Sequence, residues 1–219
     1  MSNIYNSFLN VVRVTSELST LQQTARDLFS APAGFDLSSF RWAPHERDAE
    51  HEWLCVWSAI SATVLAQGPR NNRPIGRLII CMDLFRETAP ATIRTVLPHA
   101  KESFLTIVFI AGNNVTDQTY DPLSLQFDTD GWPLWAESYV PHEEGRLLQY
   151  LDENEKEQDQ SWAKRAWLFA VPLTALDDRD CFRKEIVTPF WNALMNRPSG
   201  SLFPADSAAL KFPLPQQPH

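Results

Sequence analysis

Three short stretches of this chain are almost wholly apolar: Leu78-Ile79-Ile80-Cys81-Met82, Phe104 to Ile110, and Ala166 to Val171. Each is far too short to cross a membrane as a helix. Bounded runs of this length read as strands buried on both faces. Strands of that kind need cover on both sides, and the intervening segments read largely as helices. The order expected is helix, helix, strand, helix, strand, hairpin, helix, strand, helix. That is an α+β (or α/β) fold, with a mixed β-sheet containing a β-hairpin and packed by about four to five helices.

The first helix is expected over 16–29, where Leu18, Leu21, Ala25 and Leu28 share one face. A second, longer helix is expected over 44–66, because Pro44 suits a first turn and Gly68-Pro69 closes it. A short helix is expected at 90–98. Leu123, Leu125 and Phe127 alternate with polar residues, and Asp130-Gly131 is a two-residue hairpin signal, with Trp132 to Tyr139 as the return strand. A helix follows over 142–157, with Leu147, Leu148 and Leu151 inward. Asp177 or Asp178 can cap a last helix that runs to Leu194, with Pro189 bending it. Residues 1–197 read as one globular domain. Residues 198–219 are a Pro-rich tail, extended or disordered unless docked.

Glycine is scarce. The chain has 219 residues and 7 glycines, where about 15 are usual. No two glycines lie closer than eight positions apart. A loop that cradles phosphate needs glycines a few residues apart, so that bare N–H groups reach the oxygens. The P-loop, the dinucleotide fingerprint and the Gly-x-Ser-x-Gly elbow are therefore all absent. Hydrophobic content of 44% with 21% charged residues is that of a folded globule, not a disordered chain.

Net charge is −8, which argues against a general nucleic-acid binder. The three cysteines, Cys55, Cys81 and Cys181, are an odd number and lie far apart. They read as free thiols in a reducing compartment, and a cytoplasmic protein is expected. No signal peptide is read at the N-terminus, and no membrane association is expected.

Three constellations could carry function. On the expected second helix, Asp48, His51, Glu52 and Cys55 follow the spacing i, i+3, i+4, i+7 and would share a face. A carboxylate, an imidazole and a thiolate are zinc ligands. One helix cannot complete a tetrahedral site, however, and a charged, solvated helix start gives the same pattern. Arg70, Asn71, Asn72, Arg73 and Arg77 make a basic loop in an acidic chain, suited to an anion or an acidic partner surface. A solvated loop before a buried strand is the plainer alternative. Trp132 and Trp135 lie at odd spacing on one strand, so one of them points away from the other. Tryptophan and arginine are the residue types enriched at binding hot spots.

Together these features point to a non-enzymatic protein-binding protein: an adaptor, an inhibitor or immunity-type protein, or a subunit of a larger assembly. Its contacts would be Arg70, Arg73, Arg77, Trp132 and Trp135, and no cofactor is called for. Two alternatives stand beside it. One is a metal-assisted hydrolase built on Asp48, His51, Glu52 and Cys55. The other is a nucleic-acid-handling subunit that uses the local basic loop of Arg70, Arg73 and Arg77.

Overall fold

A computed structural model describes residues 2–30, 38–42, 57–66, 73–83, 103–112, 139–150, 165–195 and 201–212. Its centre is a sheet of β1 (Ser38–Trp42), β2 (Trp57–Ala66), β3 (Arg73–Asp83), β4 (Phe104–Ala111), β5 (Tyr139–His142), β6 (Leu147–Tyr150) and β7 (Trp167–Pro172). The seven strands lie in the order β1-β2-β3-β4-β7-β6-β5. Every adjacent pair is antiparallel.

The three apolar runs form β3, β4 and β7, the middle of this sheet. Ile60, Ile80, Ile107 and Phe169 line up across four strands on one face. All four are buried. The residues between them, including Cys81, Val108 and Leu168, point to the other face and are buried as well. Burial on both sides explains why these strands carry no polar alternation.

Two helical rods lie on the first face. Helix α1 (Ser2–Ser30) packs its C-terminal end there through Ala25, Leu28 and Phe29. The second rod runs from Arg179 to Leu194. It consists of α2 (Arg179–Phe182), a π turn (Arg183–Val187) and α3 (Thr188–Leu194). Of the two aspartates expected as its cap, Asp178 takes the role, its carboxylate accepting from the N–H of Asp180 at 2.9 Å and of Cys181 at 2.7 Å. Pro189 accounts for the π turn. It has no N–H to give the Glu185 carbonyl, and the N–H of Thr188 reaches back five residues to the Arg183 carbonyl.

Phe190, on α3, is the hub of the core. Its ring lies 5.2 Å from Phe29, 5.5 Å from Trp167, 5.8 Å from Trp191 and 6.0 Å from Phe109. Most of these pairs meet edge to face, the arrangement the ring quadrupole favours.

This architecture corrects the expected fold class. The sheet is antiparallel, not mixed, and the described residues hold two helical rods rather than four or five helices. Residues 57–66, expected to be helical, form strand β2. Ile60 and Val64 are four apart, a spacing that serves a helix and a strand equally. The deciding pattern was Ile60, Ala62 and Val64 alternating with Ser61 and Thr63. Of the helix expected over 142–157, residues 142–150 are instead the end of β5, a tight turn and β6, and residues 151–157 lie outside the described residues. Glu143, Glu144 and Gly145 have φ of 52°, 58° and 87°, and three left-handed residues cannot start a right-handed helix. Leu147 and Leu148 are both buried because β6 is covered on both faces. The polar loop expected up to Arg77 is already strand β3 from Arg73 onward. The expected helix at 90–98 and the hairpin around Asp130-Gly131 lie outside the described residues.

Residues 201–212 close the structure. Leu202, Phe203, Ala209 and Phe212 are buried, and carboxylates hold the segment in place. Glu143 accepts from the Ser201 hydroxyl at 2.5 Å and from the Leu202 N–H at 3.1 Å. Buried Glu185 accepts from the Ser207 hydroxyl at 2.7 Å and the Ala208 N–H at 3.0 Å. Lys211 pairs with Glu144, and Lys184 with Asp206. The Leu210 N–H donates to the Ala170 carbonyl, so the segment covers β7 where β6 has ended.

Candidate interaction site at the β1 edge

Strand β1 pairs with β2 without a break, Phe40 opposite Val64, Arg41 opposite Thr63 and Trp42 opposite Ala62. Strand alternation then divides its side chains. Phe40 and Trp42 turn to the helix-covered face, where both are half-buried. Arg41 turns to the other face and is exposed.

The aromatic side of this corner is held firmly. Phe40 and Trp42 stack at 5.9 Å with 24° between their planes. Phe29 meets Phe40 at 5.5 Å and Trp42 at 6.5 Å, edge-on in each case. The Trp42 indole N–H donates to the Ser30 hydroxyl at 3.0 Å. The Arg26 guanidinium, one turn earlier on α1, lies 5.8 Å from the Trp42 ring, within cation–π range. The result is a half-exposed indole fixed in orientation and flanked by a cation.

The other side is basic and polar. Thr63 sits between Arg41 and Arg77 in one cross-strand row, since it pairs with both. Two strand spacings separate the arginines, roughly 10 Å between backbones. Arg77 donates to the Ser61 hydroxyl at 2.9 Å, on the same face. Ser61, Thr63 and Ile79 are half-buried here, in contrast to the fully covered face of β4 and β7.

Of the residues read from the sequence, Arg77 belongs to this corner. Arg73 is exposed but lies on the opposite face. It pairs with Ala66, and an irregularity in register between Val64 and Leu65 reverses the alternation between the two arginines. Arg73 and Arg77 therefore do not form one patch. Arg70, Trp132, Trp135, Asp48, His51, Glu52 and Cys55 lie outside the described residues. Among the described residues, no group of three or more His, Cys, Asp or Glu side chains could hold a metal ion. Nor, among them, is any helix long and apolar enough to cross a membrane. Sequence reasoning missed Arg26, Phe40, Arg41 and Trp42. The available signal was the short alternation Phe40-Arg41-Trp42, apolar, basic, apolar.

A second polar cluster lies at the far edge of the sheet. Gln149 is buried on β6 and accepts from Arg165 at 2.7 Å. His142, on β5, hydrogen-bonds with Gln149, and its pKa is pushed below the ordinary 6.5, chiefly by burial. Arg165 pushes in the same direction, while Gln149 and Glu143 oppose it.

Comparison of the chain with family models, with characterised proteins and with solved structures returned no match.

Proposed function

We propose that this chain is a non-enzymatic protein-binding protein, an adaptor, an inhibitor or immunity-type protein, or a subunit of a larger cytoplasmic assembly. The observation that carries the reading is the corner at β1. Trp42 is half-exposed there, with Arg26 beside its ring and Arg41 on the next residue of the strand. Tryptophan and arginine are enriched at interface hot spots. Tryptophan offers a large amphipathic area with only two side-chain torsions to fix, and arginine a planar fork of donors suited to carboxylates. Arg41 and Arg77 add a local basic face to a protein of net charge −8. That combination favours a partner which presents carboxylates at this spot while tolerating an acidic surface elsewhere.

The test is capture of partners on the full-length chain at native expression, alongside the double variant Arg41→Ala/Trp42→Ala. The reading expects a stoichiometric partner that the double variant loses while its circular dichroism stays unchanged. A chain that stays monomeric and partnerless, or a partner held equally by both proteins, would overturn it.

A further inference from the structure

Resting on the protein-binding reading, we infer that the partner adds a β-strand to the outer edge of β1, and that this strand alternates acidic and apolar residues. The sheet has two terminal strands. At one end, β5 carries Pro141, which has no N–H to offer a neighbour and blunts that edge. At the other end, β1 reads Ser38-Ser39-Phe40-Arg41-Trp42. It contains no proline and follows β2 residue for residue. Among the described residues, no strand pairs with its outer side. A regular, proline-free edge is the template that strand addition uses.

The side chains of β1 specify what would pair with it. Residues directly opposite on adjacent strands have Cβ atoms about 5 Å apart. An incoming strand thus places one residue beside Arg41 and its neighbours on the opposite face, beside Phe40 and Trp42. A carboxylate suits the first position, where Arg41 is exposed and Arg77 lies two strands further along the same row. Apolar side chains suit the flanking positions, where they would extend the Phe29–Phe40–Trp42 cluster. A second copy of this chain meets the requirement poorly, since Ser38–Trp42 contains no acidic residue to set opposite Arg41.

The probe is a capped octapeptide of alternating valine and glutamate, with the valine–lysine peptide as control. Affinity is measured by titration, and hydrogen exchange is followed at the β1 amides of the full chain. The glutamate peptide is expected to bind at least tenfold more tightly than the lysine peptide. It should slow exchange of the outward β1 amides at least tenfold. Arg41→Glu should reverse the charge preference without changing the melting temperature. N-methylation of alternate peptide amides should abolish binding when it falls on the paired edge. Equal binding of both peptides, no binding of either at millimolar concentration, or β1 amides that exchange as fast with peptide as without would each overturn strand addition. The protein-binding reading fails separately. A captured partner that needs Trp42 yet leaves the β1 amides exchanging freely sinks strand addition alone, whereas a partnerless chain sinks the reading beneath it.

Discussion

At the scale of single residues, Phe190 holds the fold together. It is fully buried, and it joins both helical rods to the sheet through Phe29, Phe109 and Trp167. Phe190→Ala removes a ring from a site with little freedom to collapse, because rigid aromatics surround it. The expected loss is about 3–5 kcal/mol, read as a fall in the denaturant midpoint. A loss below about 1 kcal/mol would mean that these rings do not form one packed cluster. His142 makes a different statement. Burial favours its neutral form, so the folded state binds fewer protons than the unfolded chain just below the ordinary pKa of 6.5. A group with a depressed folded pKa contributes its stability above 6.5 and loses it as pH falls toward the folded value. Wild type should therefore lose stability relative to His142→Gln as pH falls below 6.5, as measured by urea unfolding at each pH. Parallel curves for the two proteins would show that His142 is as free to protonate when folded as when unfolded.

At the scale of elements, the most legible parts were those with a single possible reading. The three apolar runs read as buried strands because they are short, bounded and rich in β-branched and aromatic residues. A capping aspartate was legible at 177 or 178, just before the last periodic segment, and the structure gives the role to Asp178, which accepts from two N–H groups there. Elements were misread where one spacing fits two periods, as with Ile60 and Val64, or where a turn needs left-handed residues that are not glycine. Glu143 and Glu144 give no local sign of a positive φ. Their conformation becomes intelligible from residues 58 to 67 positions away, because Glu143 caps Ser201 and Leu202 and Glu144 meets Lys211. The site at β1 was half legible for the same reason. Arg77 stood out by charge, but its partner in the row, Arg41, is set beside it by strand pairing across Thr63. The docked segment 201–212 offers a test of its own. Glu185→Ala leaves the Ser207 hydroxyl and the Ala208 N–H without their carboxylate. Unsatisfied buried groups cost about 1–3 kcal/mol, so the variant should melt earlier. Its residues 201–212 should also be cut first under limited proteolysis. Cleavage elsewhere at the same rate as wild type, with 201–212 protected, would show that Glu185 does not secure the segment.

At the scale of the whole molecule, the sheet is protected unequally. Its middle is covered on both faces and one end carries a proline. The segment 201–212 occupies the β7 edge left open by the short β6. The β1 end differs, with exposed Arg41, half-exposed Trp42 and Arg26 beside the indole. In a protein of net charge −8, this corner sets three arginines and a half-exposed indole close together, and the proposed function rests on that arrangement. The most direct measurement is the affinity of the captured, purified partner for wild type, for Arg26→Ala/Arg41→Ala/Trp42→Ala, and for the control Lys211→Ala at the distant 201–212 segment. The account predicts at least a hundredfold weaker binding for the triple variant and unchanged binding for the control. It also predicts that wild-type affinity falls as salt screens the arginines. Equal affinity for wild type and the triple variant, with both proteins folded, would contradict it.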